Sequence, residues 1–517
     1  MRIVDSFDRG VEFYPDNTVF IEGDDRHSYR TIAEKTYRIA NGLEALEIGI
    51  GSRFAVYSGN SVAAFTAVLG GMRTGAAWVT VNVRDSAEAI GWHLANTKTE
   101  VLFVSADYVG NVAEIRTAAP GLRNVFCLEG AAEGIESLDD WMSGQSAERP
   151  NIWVPFDAIA RVSSTGGTTG RPRAVLQNHY GNLTVTASFL ISFPFYETPT
   201  YLMAAPLTHA AGNSSFSIFW YGGAVVMMKK VDVLEIMKLI EQHRVNSLLL
   251  PPTVIYMMLA HPRVREFDYS SLRYFYYGAA PMMVEKLKQA IDVFGPVMAQ
   301  LYGQAEASQV ILCMTPQDHV EALSGPATMG RLASAGRAGP LCQVAIMDDA
   351  GRLLPRGEIG EVVVRSSVTM VGFLNDDAAT EKSRAHGWHH TGDLGRMDDD
   401  GFVYLLDRKR DMIISGGFNI YPNEVEQVLA AHPAVQDCAV VGTPHEKWGE
   451  AVTGVVELKP ESQAEPNEII AYCKEHLGGM KAPKRVEVWS ELPRSTVGKV
   501  LRRKVRDRFW GNDERKI

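Results

Sequence analysis

Residues 163–173 read Ser-Ser-Thr-Gly-Gly-Thr-Thr-Gly-Arg-Pro-Arg. Glycine lets a backbone approach a ligand closely and turn through positive φ, so that successive N–H groups converge on an anion. The hydroxyls of this stretch add donors and its arginines add charge. Together they make the chemistry of a loop wrapped around a polyphosphate. A Ser/Gly/Thr-rich surface linker has similar composition, but here apolar, strand-like residues stand on both sides, Ala158 to Val162 before and Ala174 to Leu176 after. The loop is not of the GxxxxGK[ST] type, because no Lys-Ser or Lys-Thr pair follows the glycines.

Four other polar features could take part in chemistry, and each has a plainer reading. Tyr302-Gly303-Gln304-Ala305-Glu306 follows the apolar run Val297-Met298-Ala299; its carboxylate could ligate magnesium or cap the next helix. Asp393, in Thr391-Gly392-Asp393, lies where an aspartate ordinarily serves a turn. His209 stands between apolar runs, as a packed core histidine would. Lys499, in Pro493-Arg494-Ser495-Thr496-Val497-Gly498-Lys499, reads by composition as an exposed basic loop residue.

The elements that would position these groups alternate. A helix over Thr31 to Leu46, a strand over Arg53 to Tyr57, a helix capped by Ser61, and strands at Ala77 to Val81 and Val101 to Ser105 imply βα units around a largely parallel sheet. The pattern resumes after the glycine loop: Asp232 caps a helix, Ser247 to Leu250 is a buried strand stopped by Pro251-Pro252, and Arg273 to Tyr277 is a strand ending in Gly278-Ala279-Ala280-Pro281. The glycine loop and this turn both fall at strand carboxyl ends, where open α/β sheets bind ligands. From about residue 341 hairpins take over, with turns at 348–351 and 398–401. Beyond the charged stretch 407–411 lies a small α+β unit opened by Pro422. We therefore expect an α/β protein with a large N-terminal domain of βα units, packed sheets and a β-rich subdomain over 1–409, and a small mobile α+β domain over 410–517.

A chain of 517 residues exceeds one hydrophobic core. Net charge of −10 argues against nucleic acid or an anionic membrane as the main partner. The five cysteines are scattered and form no CxxC pair, which suggests neither a disulfide framework nor a zinc site and fits a reducing cytosol. With no signal core, no apolar run of about 18 residues and no SKL-type C-terminus, a cytoplasmic protein without an integral membrane segment is expected.

In their order and spacing these elements resemble the adenylate-forming superfamily of acyl-CoA synthetases, firefly-type luciferases and peptide-synthetase adenylation domains. The likeness is carried by 163–173, Pro206 to Gly212, Gly278 to Pro281, Tyr302 to Glu306, Gly357 to Glu361, Thr391 to Gly395, Arg408 to Gly417 and Pro493 to Lys499. It implies a two-step reaction: a carboxylate attacks the α-phosphate of ATP to give an acyl-adenylate and pyrophosphate, and coenzyme A then displaces AMP.

The resemblance also implies roles. Thr165, Gly166, Gly167, Thr168, Thr169 and Gly170 would hold the β- and γ-phosphates, with Arg173 supplying charge, and Glu306 would hold Mg²⁺. Gly278, Ala279 and Ala280 with Gln300, Leu301, Tyr302 and Gly303 would frame the adenine. Asp393, assisted by Arg408, would accept from the ribose hydroxyls. Lys499 would reach the α-phosphate and carboxylate in the first step. After rotation of the small domain about Arg410, Ser415, Gly416 and Gly417 would line the pantetheine tunnel, and Trp448, Lys481 and Lys484 would contact coenzyme A. His209 would stand beside the acyl carboxylate and gate the tunnel.

The acyl pocket would be lined by His209, Ala210, Ala211, Gly212, Tyr277 and Gly303. These carry no cation for a second carboxylate, which suggests an apolar monocarboxylate: a fatty, aromatic or alicyclic acid. Two positions depart from the family pattern, Arg173-Ala174 in place of Lys-Gly and Ala305 in place of threonine. The alternatives are an acyl-AMP ligase loading a carrier protein, a luciferase-like oxygenase, and a nucleotide-binding protein without catalysis. Retention of both Glu306 and Lys499 speaks against the last. No aspartate stands in Leu207-Thr208-His209 to hold an amino group, which disfavours the peptide-synthetase branch. A homodimer is compatible with the sequence.

Overall fold

The computed structural model describes residues 1–132, 134–164, 173–409, 411–460, 462–494 and 500–510. Two large sheets dominate residues 1–340. The first has eight strands in the spatial order Gly372–Phe373, Ala174–Asn178, Ile159–Ser164, Ala77–Thr80, Arg53–Tyr57, Val101–Val104, Asn124–Cys127, Glu136–Ser137. It is parallel from Ile159–Ser164 onward, and Ala174–Asn178 turns back antiparallel with Ser164 opposite Ala174. The second has nine strands. Its parallel centre runs Met298–Tyr302, Tyr274–Gly278, Ser247–Leu250, Thr200–Met203, Ala224–Met227, Thr18–Glu22.

Helices cover these sheets because their ends are specified locally. Ser61 and Asp232 accept from the backbone N–H three residues on, as N-caps of Val62–Arg73 and Val233–Gln242. The pair Pro251-Pro252, expected only to stop a strand, also starts a helix: Pro252 occupies the first turn of Pro252–Ala260, where a missing N–H costs nothing. The helix Ala210–Phe219 lies between the sheets. Its Ala211 carbonyl accepts from Tyr201 Oη in the second sheet, and its Asn213 accepts from Arg161 in the first.

The hairpin region forms a four-stranded antiparallel sheet, Gln343–Met347, Gly360–Arg365, His389–Met397, Val403–Arg408. From residue 413 a further five-stranded sheet has its own core of Ile413, Val425, Leu429, Val440, Val452, Val456 and Ile469. The fold is the mixed α/β architecture expected. Among the described residues no helix is long and apolar enough to cross a membrane.

Candidate active site

Two of the polar features picked out by type, the 302–306 turn and Asp393, meet where the second sheet's strand Met298–Tyr302 ends against the hairpin sheet. Tyr302 ends the strand Met298–Tyr302, and its hydroxyl donates to Asp393 Oδ2 at 2.5 Å. Gln304 Nε2 donates to the same oxygen at 2.8 Å and to the Thr391 carbonyl at 2.8 Å. Asp393 lies directly opposite Arg408 across an antiparallel pair, with Arg408 Nε 3.6 Å from Oδ1. Two donors thus occupy one oxygen of Asp393, and the other faces the guanidinium. Behind them Glu361 accepts from the Gly392 N–H at 2.9 Å and stands 3.1 Å from His390 Nδ1.

Glu306 belongs to the same neighbourhood. Burial pushes its carboxyl above the ordinary value, with Arg408, Asp393 and Arg173 all felt. The turn carrying it is fixed by Gln177, whose Nε2 donates to the Ala305 carbonyl at 3.0 Å and to Ser308 Oγ at 2.7 Å. Glycine is needed at 303, since a Cβ there would stand 2.3 Å from the Gln309 nitrogen. Ala305, one of the departures, packs its methyl with Val175, Met370 and Phe373. A desolvated carboxylate is stabilised by a cation. A single desolvated carboxylate fits a hard ion completed by phosphate oxygens and water.

The turn after Tyr274–Gly278 is tight. A Cβ on Gly278 would stand 2.3 Å from the Leu301 carbonyl oxygen, and Ala279 takes φ of 65°, a conformation that strains an L-residue. Tyr277 points away from this edge. Its side chain is buried, donates to Gln300 Oε1 at 3.1 Å, and meets His319 Nε2 at 2.8 Å. Expected among the pocket residues, it is packed in the core and helps hold Gln300.

His209 caps the helix that Ala210 and Gly212 open. Its side chain keeps an opening to solvent while protein surrounds the ring. Desolvation, with Arg161 and Arg84 nearby, lowers its pKa to about 4 and keeps the ring neutral. Ala210 is pinned through its carbonyl by Gln309 Nε2 at 2.9 Å. Reading by type found no cation here. The structure brings in Arg161, which donates to the Thr208 carbonyl at 2.6 Å.

Thr165 to Gly170, Arg410 and Lys499 lie outside the described residues; their flanks do not. Arg173, after the glycine loop, pairs with Asp376 at 3.1 Å and lies over Phe373. The segment containing Lys499 is closed by an Arg494–Val500 bridge and by the Leu501 N–H donating to the Pro493 carbonyl. Arg494 holds Asp437 and Glu457 at 2.6 Å each on one side. On the other, Arg502 holds Asp407 and Glu426.

The groups expected to meet a thiol partly gather in the C-terminal unit. Ser415 pairs with Gly449, the Gly416 N–H donates to the Trp448 carbonyl, and Lys484 Nζ lies 5.7 Å from the Trp448 ring centre. Gly417 follows with φ of 83°. Lys481 is tied instead to Glu424 at 2.6 Å.

Residues 7–374 match the family described as AMP-binding enzyme, and residues 424–499 match the AMP-binding enzyme C-terminal domain. A medium/long-chain-fatty-acid–CoA ligase of Mycobacterium tuberculosis, FadD8, is 33% identical over 506 residues, covering 95% of this chain and 87% of that protein. A feruloyl-CoA synthase of an Amycolatopsis species is 32% identical over 504 residues, covering 97% and 98%. ATP-bound MatB from Rhodopseudomonas palustris has the same fold, with a TM-score of 0.89 at 25% identity, covering 99% of this chain and all of that one.

Proposed function

The chain belongs to the family of AMP-binding enzymes, as an AMP-forming acyl-CoA synthetase, and from that premise we propose how its residues divide the work. The reaction consumes a carboxylic acid, ATP and coenzyme A and forms an acyl-CoA, AMP and pyrophosphate through an acyl-adenylate.

Asp393 accepts from the ribose hydroxyls through the oxygen that faces Arg408, while Tyr302 and Gln304 hold its other oxygen. This arrangement, assembled from strands about ninety residues apart in sequence, is the observation that carries the reading. A carboxylate with one oxygen fixed presents the other in a defined direction, as recognition of a vicinal diol requires. Gly278, Ala279 and Ala280 with Gln300, Leu301, Tyr302 and Gly303 form the slot for the base. Thr165 to Gly170, with Arg173, bind the β- and γ-phosphates.

Glu306 would hold Mg²⁺, which would supply positive charge to neutralise the phosphate oxygens. His209, neutral at physiological pH, donates or accepts a hydrogen bond beside the acid without adding charge. Lys499 meets charge developing at the α-phosphate in the first step; its loop is anchored on both sides by Arg494 and Arg502.

The boundary between large and small domains lies near Arg410, which serves as hinge. The small domain turns to bring Ser415, Gly416 and Gly417 to the thiol, with Trp448, Lys481 and Lys484 at the rest of coenzyme A. The acid is a fatty, aromatic or alicyclic monocarboxylate, and the enzyme works in the cytoplasm.

The test is Lys499→Ala. Pyrophosphate exchange should vanish, while thioester formation from supplied acyl-adenylate survives. Equal loss of both half-reactions would remove Lys499 from the first step.

A further inference from the structure

The parallel strands Ala77–Thr80 and Ile159–Ser164 place Trp78 directly opposite Arg161. Residues opposed in a ladder project to the same face, and Ser163, two positions on, joins them. The other face, with Val79 and Val162, belongs to an aliphatic core. On the shared face three polar atoms are buried without a hydrogen-bond partner among the described residues: Arg161 Nε, Trp78 Nε1 and Ser163 Oγ. Their residues are 6%, 1% and 8% exposed, and the Arg161 guanidinium lies 5.3 Å from the Trp78 ring centre.

Arg161 is not a loose side chain that happens to be covered. One terminal nitrogen donates to Asn213 Oδ1 and the other to the Thr208 carbonyl at 2.6 Å, so the head group is fixed and Nε is directed. No carboxylate opposes it among the described residues. The other buried arginine differs: Arg73 grips Asp8 with two nitrogens. A buried cation without a counter-charge, next to further donors without acceptors, is costly for the protein alone. The Thr208 contact places Arg161 beside the His209 turn, close enough for its charge to be felt by the imidazole.

Resting on the synthetase reading of this site, we propose that Trp78, Arg161 and Ser163 form a binding site for a carbonyl or carboxylate oxygen that the acid substrate carries away from its reacting carboxyl group. Such an oxygen accepts from several donors at once, and a carboxylate also balances the guanidinium charge. The substrate class narrows accordingly, from fatty, aromatic or alicyclic acids at large to those bearing an oxo group or second carboxylate. Sites built around a hydrogen bond discriminate strongly against analogues that lack it.

The experiment compares matched acids on the full-length enzyme by pyrophosphate release: octanoic against 7-oxooctanoic and octanedioic acid, and 3-cyclohexylpropanoic against 3-(4-oxocyclohexyl)propanoic acid. The oxygen-bearing member of at least one pair should have the higher kcat/KM, by about 10- to 100-fold. Arg161→Met should erase that preference, and Trp78→Phe, which keeps charge and bulk, should reduce it through KM. Wild type that turns over the unsubstituted acids equally well, or variants that keep the preference, would overturn the proposal while leaving the synthetase reading intact. A raised KM for coenzyme A with unchanged acid selectivity would also overturn it, by assigning the donors to the thiol substrate. Pyrophosphate release with no acid at all would fell the synthetase reading and this proposal with it.

Discussion

Arg502 Nη1 donates to Asp407 Oδ1 at 2.7 Å, joining the helix that follows Lys499 to the strand that carries Arg408. Asp407 Oδ2 also accepts from the Asn423 N–H at 2.9 Å, so one carboxylate receives two elements from beyond residue 410. Arg502 reaches Glu426 through two more nitrogens. A guanidinium fork suits two carboxylates at once, which an ammonium cannot match.

Replacing Arg502 should therefore do more than weaken a surface pair. Asp407 has a side-chain exposure of 1%, and burial already pushes its carboxyl above the ordinary value despite Arg502. Arg502→Met would leave that carboxylate buried and unopposed, at a cost of about 3 kcal/mol. We expect a lower urea midpoint for unfolding of residues 411–510 and slower pyrophosphate release, because the nearby Lys499 loop loses an anchor. Arg502→Lys should fall between the two, and an unchanged midpoint in Arg502→Met would refute the coupling.

The ribose contact gives a graded pair of variants. Tyr302→Phe removes one donor from Asp393 but leaves Gln304 in place. Its KM for ATP should rise by about 3- to 10-fold, the worth of one hydrogen bond of about 1 kcal/mol. Asp393→Ala removes the acceptor itself and should raise KM by about 10- to 100-fold, with coenzyme A kinetics little changed. Equal effects of the two substitutions would mean that Tyr302 does not act through Asp393.

Much of this was legible before any coordinates. The glycine-flanking strands, the Ser61 and Asp232 caps and the hairpin turns are local, and local signals survive in a sequence. What was missed depends on distance along the chain. Gln304 meets Asp393 across 89 positions, and Arg161 meets Thr208 across 47. Nothing near Gln304 announces its partner. Arg161 did leave a signal, an arginine inside the apolar run Ile159 to Val162, where a charge has no ordinary place. Tyr277 shows a related limit. Strand alternation puts Tyr276 and Tyr277 on opposite faces, and periodicity does not say which face meets the ligand.

Glu306 links function to stability with a definite sign. Its folded pKa lies above the unfolded value of 4.5 because burial disfavours the charge. The native state therefore binds more protons than the unfolded chain just above pH 4.5, and Glu306's contribution to stability is lost as pH rises through the folded value. At pH 7, without nucleotide, Glu306→Gln should melt higher than wild type. Adding ATP and Mg²⁺ should raise the wild-type melting temperature more than that of the variant, which should be unable to form the adenylate. A nucleotide-free variant less stable than wild type would contradict the account.

His209 has the opposite sign. Desolvation and the charges of Arg161 and Arg84 hold its pKa near 4, below the ordinary 6.5. Between those values the unfolded chain takes up a proton that the native cleft refuses, so stability rises with pH across the window and this contribution is complete above about pH 6.5. His179, His319 and His389 are lowered to about the same value by burial and share in the effect. His209→Gln, neutral at every pH, should narrow the difference in unfolding midpoint between pH 5 and pH 7 without abolishing it, since the other three histidines remain. In activity, a neutral His209 gives no titration of the KM for the acid between pH 6 and 8. An inflection in that range that disappears in His209→Gln would show the imidazole charging during turnover and would overturn the neutral role.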